Sequence, residues 1–171
     1  MTLHAITVLG HDRPAIIAET TRALADLGLN IEDSTMTLLR GHFAMMLITD
    51  GSADAATVEE GLSGLTADDS LSVSVREVPR EAGAPSGATY LLSVHGGDRP
   101  GIVSSVVGEV ARVGGNITDL STRLTGDLYV LLAECDLPSD VDVDALEASI
   151  RSVADALGVR ATLSPLESDE L

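Results

Sequence analysis

Two stretches decide the fold of this 171-residue chain: GHDRPAI at residues 10–16 and GGDRPGI at residues 96–102. Aligning them sets an offset of 86 positions, at which 11 of the 26 residues from 8 to 33 are identical to their counterparts. The identities outside the two stretches include Gly28 with Gly114, Asn30 with Asn116, and Asp33 with Asp119. A match of this length indicates an internal duplication, so we predict two copies of one domain.

The segment between the two copies has the composition of a linker. Residues 80–87 are polar and rich in Gly and Pro, and they lack the periodicity of a helix or a strand. We therefore predict a first domain over residues 1–79, the linker over 80–87, and a second domain over 88–166. Residues 167–171 form an acidic tail, interpreted as a solvated chain end.

Each copy predicts the same order of strands and helices. Apolar and polar residues alternate near residues 6–8 and 92–94, which predicts a first strand. A helix follows, with Pro14 or Pro100 expected in its first turn, and a hairpin, a second helix and a final strand complete the copy. The apolar run at residues 45–48 is interpreted as a central strand buried on both faces.

The order βαββαβ predicts an α+β fold of the ferredoxin-like type in each half. Because crossover connections are right-handed, the two helices of each copy lie on one face of a four-stranded antiparallel sheet. The predicted later strands cover residues 30–39, 43–49 and 71–78 in the first copy, and residues 116–124, 128–135 and 159–163 in the second. This fold hosts many functions, so the function must be argued from its loops.

The charge of the chain argues against direct nucleic-acid and membrane partners. Asp and Glu number 27 against 10 Lys and Arg, and the formal net charge of -17 repels phosphate backbones and anionic lipids. An RNA-recognition motif shares the βαββαβ order, but it needs stacking aromatics on its sheet. The chain has no Trp and only three other aromatic residues, namely Phe43, Tyr90 and Tyr129.

The cysteine and histidine content predicts a cytoplasmic protein without a bound metal or cofactor. Cys135 is the only cysteine and falls in an apolar run, as expected for a free thiol in a reducing compartment. The first ten residues lack a signal-peptide pattern, and no apolar segment reaches the length of a membrane span. The four histidines are scattered along the chain rather than set at metal-ligand spacings: His4, His11, His42 and His95.

The loop after the first strand of each copy predicts an anion or zwitterion site. A helix N-terminus there presents unpaired backbone N–H groups close to Asp12 or Asp98. The carboxylate of a free amino acid fits the N–H groups, its ammonium fits the Asp, and the amide of Asn30 or Asn116 adds one bond. The alternative is structural: Asp is a common helix N-cap, and Asn after Gly is ordinary in turns.

Two enzyme hypotheses fit this loop less well. An Arg in the first loop with an Asn on the second strand resembles the phosphate-handling pair of acylphosphatases, which share the fold class. The Pro directly after the Arg removes one N–H donor from that loop. Ser104 and Ser105 have no basic partner indicated nearby, and the first copy has Ala18 and Glu19 in their places. We therefore predict no catalytic residues and no enzymatic activity.

The duplicated motifs resemble those of ACT domains over nearly the whole chain. The resemblance rests on Gly-x-Asp-Arg-Pro-Gly-Ile at residues 96–102, its variant at 10–16, and the Gly-x-Asn-Ile forms at 28–31 and 114–117. Tandem ACT proteins without a catalytic domain are similar to the glycine-cleavage-system transcriptional repressor group. The resemblance implies a ligand, usually an amino acid, bound between ACT units. By matching positions it implies these contacts: Gly10, Asp12, Arg13, Asn30, Ile31, Gly96, Asp98, Arg99, Gly101, Asn116 and Ile117.

One departure from the motif concerns the last loop residue. Ala15 stands where the second copy has Gly101, so a Cβ projects where a ligand would approach, and we expect the second loop to bind better than the first.

The function that we predict is regulatory. Ligand bound at ACT interfaces controls a protein partner, either a transcription factor or an enzyme of amino-acid metabolism, and unpaired sheet edges favour a homodimer. The alternative is a ligand-free interaction scaffold of the same fold, which keeps a partner but responds to no small molecule.

Overall fold

A computed structural model of the chain describes residues 1–80 and 87–166. It divides into two compact units, unit 1 from Met1 to Ala82 and unit 2 from Gly83 to Leu171. Most of the predicted linker, residues 81–86, and the predicted tail, residues 167–171, lie outside the described residues. The strand that opens unit 2 begins at Gly87, inside the predicted linker, and the exact domain boundaries stay a prediction.

Unit 1 contains four strands, two helices and a short 3-10 helix. In chain order they are β1 (Thr2–His11), α1 (Ile16–Asp26), β2 (Asn30–Leu39), β3 (His42–Gly51), α2 (Ala55–Gly61), the 3-10 helix (Ser63–Thr66) and β4 (Leu71–Val78). Unit 2 repeats the order as β5 (Gly87–Gly97), α3 (Ile102–Arg112), β6 (Asn116–Thr125), β7 (Leu128–Pro138), α4 (Val143–Ala156) and β8 (Val159–Pro165). The predicted order βαββαβ is confirmed in both units.

Each unit forms one antiparallel sheet, with strand orders β2-β3-β1-β4 and β6-β7-β5-β8. The first strand of each unit therefore lies inside the sheet, paired with the third and the fourth strand. Successive side chains of a strand point to opposite faces of the sheet, so every second one faces the core. The buried ones include Ile6 and Val8 in β1, and Leu92 and Val94 in β5. The end of this strand, where the candidate loop begins, is thus fixed by two neighbours.

Capping and turn residues explain where two of the helices begin and where one hairpin turns. Asp54 and Asp142 precede α2 and α4, and each carboxylate accepts a backbone N–H of the first turn, from Thr57 and Ala145 respectively. The hydrogen bond from the Thr57 backbone holds the pKa of Asp54 below its ordinary value. In the β2–β3 hairpin, Arg40 and Gly41 both have positive φ, which matches the twist of the two strands.

The hydrophobic core of each unit lies between its sheet and its helices. In unit 1 it includes Ile6, Val8, Ile16, Leu24, Phe43, Leu47, Val58 and Leu62. In unit 2 it includes Leu92, Val94, Ile102, Val106, Leu131, Cys135, Leu146 and Ile150. Cys135 is buried as expected, and desolvation raises the pKa of its thiol, so it is an unreactive core residue.

Two expectations about local structure are wrong. The helices begin at Ile16 and Ile102, so Pro14 and Pro100 precede the capping residue instead of lying in the first turn. Residues 45–48 are not buried on both faces, because Met46 is 45% exposed on the face of the sheet that carries no helix. A sheet with helices on one face leaves its interior strands open on the other.

No helix within the described residues is long and apolar enough to cross a membrane.

Candidate functional site

The two loops that sequence analysis singled out have the same backbone geometry. Residues 12–15, the first loop, join β1 to α1, and residues 98–101, the second loop, join β5 to α3. Ala15 and Gly101 occupy the N-cap position of these helices, both in the left-handed region, with φ of 72° and 92°. Their carbonyls accept the first helical hydrogen bonds, from Glu19 at 2.9 Å and Ser105 at 3.0 Å.

Neither N-cap residue has a polar side chain to cap its helix. The first-turn N–H groups of α1 and α3 therefore have no capping side chain, and the positive end of each helix dipole faces the loop. This arrangement suits an anionic group of a small ligand.

The acidic side chains of the loops do not cap these helices. Ala15 and Gly101 hold the N-cap position, so the alternative that Asp12 and Asp98 are N-caps is wrong. Asp12 instead anchors the loop through its backbone, whose N–H donates to the carbonyl of Gly41 at 3.0 Å. Both Asp side chains are exposed, and neither has an ion pair among residues 1–80 and 87–166. Each carboxylate is therefore free to bind a cation.

The two loop arginines differ in their partners. Arg13 forms a two-bond ion pair with Glu19, at 2.7 and 3.1 Å, and this hydrogen bonding lowers the pKa of Glu19 and raises that of Arg13. Ser105 replaces Glu19 in unit 2, and Arg99 has no ion pair within the part of the chain that the structure describes. Its guanidinium lies beside Gly158, which has no side chain to pair with it. Arg99 is therefore the more available of the two for a carboxylate.

The glycines at the ends of the first strands have a structural role. A Cβ at Gly10 would overlap the carbonyl oxygen of Ser70 on the neighbouring chain segment. A Cβ at Gly96 would lie 2.8 Å from Cγ1 of Val159 and 3.0 Å from its Cα. Both positions thus admit only glycine because the backbone next to β4 or β8 passes too close for a side chain.

The structure does not bring the loop and the predicted Asn together within a unit. Gly10 pairs with Phe43 of β3, whereas Asn30 pairs with Asp50, further along the same strand. That separation along β3 corresponds to about 23 Å at the rise of an extended strand. Asn116 occupies the same position in unit 2, opposite Asp136, and Ile31 and Ile117 are half-buried next to these asparagines. A ligand at a loop cannot reach the Asn of its own unit.

Other residues complete the surroundings of the first loop. A surface depression of about 410 Å³ beside α1 brings Asp12 and Arg13 together with Ile17, Met36 and Phe43. Met36 and Phe43 come from β2 and β3, and Ile17 is an exposed residue of α1. Phe43 lies at the loop because β3 pairs with β1 and places it opposite Gly10, and Met36 comes from β2, which pairs with β3.

The difference between Ala15 and Gly101 predicts opposite effects on stability. A non-glycine residue in the left-handed region costs about 1 kcal/mol. We expect Ala15→Gly to stabilise unit 1 by about that amount and Gly101→Ala to destabilise unit 2 similarly. Equilibrium unfolding measures both, since Tyr90 and Tyr129 report on unit 2 and hydrogen exchange of residues 1–80 reports on unit 1.

The control is the same replacement within a helix. Gly108 lies inside α3 with open space around its Cα, so Gly108→Ala stabilises unit 2 by about 1 kcal/mol through helix propensity. Equal effects of Gly101→Ala and Gly108→Ala would contradict the conformational argument.

Comparison with protein families finds one family twice in the chain. The family model described as ACT domain matches residues 3–76 and again residues 88–164. The two matched regions fall within the two predicted domains.

Individual relatives match either nearly the whole chain or less than half of it. The glycine cleavage system transcriptional repressor of Escherichia coli is 24% identical over 169 residues, which span 93% of this chain and 87% of the relative. A UPF0237 protein of Corynebacterium diphtheriae is 34% identical over 74 residues, 42% of this chain and 83% of its own length. The crystal structure of an unknown protein from Galdieria sulphuraria superposes with a TM-score of 0.82 at 25% identity, covering 97% of this chain and 99% of the other.

Proposed function

This chain belongs to the ACT domain family, and we propose that it is a regulatory protein whose two ACT domains bind a free amino acid and thereby control a protein partner. The observation that carries the proposal is the shared geometry of the two loops. In both units the first strand ends beside a helix N-terminus without a capping side chain and an exposed Asp carboxylate without an ion pair among the described residues.

The two charges of an amino acid match these two groups. Its carboxylate accepts hydrogen bonds from the first-turn N–H groups, with Arg99 as an added cation in unit 2. Its ammonium pairs with Asp12 or Asp98. Because Arg13 is already paired with Glu19, the first loop has less positive charge available for a carboxylate than the second. This difference supports the second loop as the stronger site.

A second ACT unit completes the site. Asn30 and Asn116 stand at the sheet end opposite the loop of their own unit, so their amides reach a ligand only where another ACT unit supplies the loop. A homodimer provides such an arrangement. The exposed apolar side chains on the helix-free face of unit 1, with Leu9 54% exposed, support further association. Ligand binding then stabilises one arrangement of the units over another.

The partner that we propose is a transcription factor or an enzyme of amino-acid metabolism. The relative from Escherichia coli is a transcriptional repressor, and the net charge of -17 disfavours direct contact of this chain with nucleic acid. The single buried Cys135 supports a reducing, cytoplasmic location. The relative that spans nearly the whole chain is described as a repressor, which supports a binding role over an enzymatic one.

Thermal unfolding in the presence of single amino acids tests the proposal. A ligand at 100 times its dissociation constant adds about 2.7 kcal/mol of stability. For a chain of this size that corresponds to a rise of about 5–10 °C in the melting temperature. We expect a selective rise with one amino acid or a few, and its loss in the double variant Asp12→Ala, Asp98→Ala.

Asp26→Ala is the matched control, because Asp26 is exposed and is the last residue of α1, at the opposite end of that helix from the first loop. A rise that survives in the double variant would place the ligand elsewhere. The absence of any rise would favour the ligand-free scaffold, for which the exposed apolar face of unit 1 is the supporting observation.

A further inference from the structure

His11 and His42 lie directly opposite each other on neighbouring strands. His11 is the last residue of β1, His42 is the first of β3, and the register pairs them. The N–H of His11 donates to Ser70 on the other side of β1, whereas the next N–H, from Asp12, donates to Gly41. His11 and His42 thus form a non-hydrogen-bonded pair, the type in which opposite side chains approach most closely.

The distance between the two rings fits a shared metal ion. Their centroids are 5.3 Å apart, with the ring planes tilted by 39°. A bond from a metal to an imidazole nitrogen is about 2.0–2.1 Å, so two imidazoles on one tetrahedral ion have ring centres about 5 Å apart. Both side chains are exposed, so the ion has direct access from solvent.

We propose that His11 and His42 form a binding site for one divalent transition-metal ion of the zinc, nickel or copper class. Imidazole is a preferred ligand for these metals, whereas magnesium and calcium prefer oxygen. Within residues 1–80 and 87–166 no third His, Cys, Asp or Glu joins the pair. Water or a small molecule fills the remaining coordination positions, and the ion exchanges readily.

The site belongs to unit 1 alone. At the corresponding register in unit 2, Gly97 faces Leu128, and neither residue binds a metal. His95 is an isolated exposed histidine in that unit, paired with Val130 and Arg160. The stoichiometry is therefore one ion per chain. A metal at this pair ties the end of β1 to the start of β3, where the first loop leaves the sheet.

Calorimetric titration of the untagged full chain with Ni²⁺ tests the proposal. The chain has 27 Asp and Glu residues, whose carboxylates could also bind the metal weakly. Excess Mg²⁺ in the buffer occupies these carboxylates, because Mg²⁺ prefers oxygen ligands. We expect one Ni²⁺ per chain. Loss of a residue that only hydrogen-bonds a metal ligand costs about 10–100-fold in affinity. Loss of the ligand itself, in His11→Ala or His42→Ala, therefore weakens binding by about tenfold or more.

His95→Ala is the matched control and retains the affinity and stoichiometry of the parent chain. Circular dichroism verifies that all three variants fold, as expected for exposed side chains. The proposal is overturned if the parent chain binds no Ni²⁺, if all variants bind alike, or if only one of the His11 and His42 replacements weakens binding. It is supported if both do and His95→Ala does not.

Discussion

Phe43→Ala lowers the free energy of unfolding of unit 1 by about 3–5 kcal/mol, the usual effect of removing a buried aromatic ring. Phe43 is 2% exposed, and its ring belongs to the core between the sheet and the helices of unit 1. It also lies beneath the first loop, opposite Gly10. Hydrogen exchange followed by mass spectrometry, read separately for peptides from residues 1–80 and 87–166, measures the loss in each unit.

The matched control for Phe43 is Met46 in the same strand. Met46 is 45% exposed on the face without helices, so Met46→Ala changes stability by less than about 1 kcal/mol. Losses of similar size in the two variants would mean that the helix-free face of unit 1 is buried in solution. That burial would arise from association of the chain through this face, and the same loss at a concentration at which the chain is monomeric would contradict the exposure of Met46.

Gly10→Ala destabilises unit 1 by about 3 kcal/mol, although alanine adds only one methyl group. The added Cβ would overlap the carbonyl oxygen of Ser70 and would lie 2.9 Å from Cα of Leu71. Both are backbone atoms at the start of β4, so no side-chain rearrangement relieves the overlap, and the strand itself must shift. Chemical denaturation combined with hydrogen exchange of residues 1–80 measures the effect.

Gly64→Ala is the control for this replacement in the same unit. A Cβ at Gly64 meets nothing within 4 Å, so the variant stays within about 0.5 kcal/mol of the parent chain. If Gly10→Ala left the stability of unit 1 unchanged while weakening a ligand, Gly10 would be a ligand contact rather than a packing position.

The order of strands and helices could be predicted from the sequence, because it follows from local patterns of apolar and turn residues. Alternation near Ile6 and Val8 marks β1, helical spacing marks α1, and Gly41 marks the hairpin turn. Because the chain is duplicated, each strand and helix was indicated by two independent stretches of sequence. The burial of β3 was harder to predict, because the apolar run around Met46 gives no sign of which face the helices cover.

The candidate site was only partly predictable for a different reason. Asp12 and Asp98 stand next to helix starts in the sequence, and their loops are local structures. The separation of Asn30 from the loop, and the meeting of His11 with His42, depend on strand register across β3. His11 and His42 are 31 positions apart, and this spacing gives no sign of a contact in the sequence. Only the pairing of β1 with β3 brings the two residues together.

Amide spectra of the ¹⁵N-labelled chain show whether the loops bind a free amino acid. Spectra recorded with and without a mixture of the common amino acids report on each backbone N–H separately. We predict shifts at the first-turn amides of α1 and α3, namely residues 16–18 and 102–104, with larger changes in unit 2. Unchanged amides at both helix starts, or shifts confined to other surfaces, would contradict it.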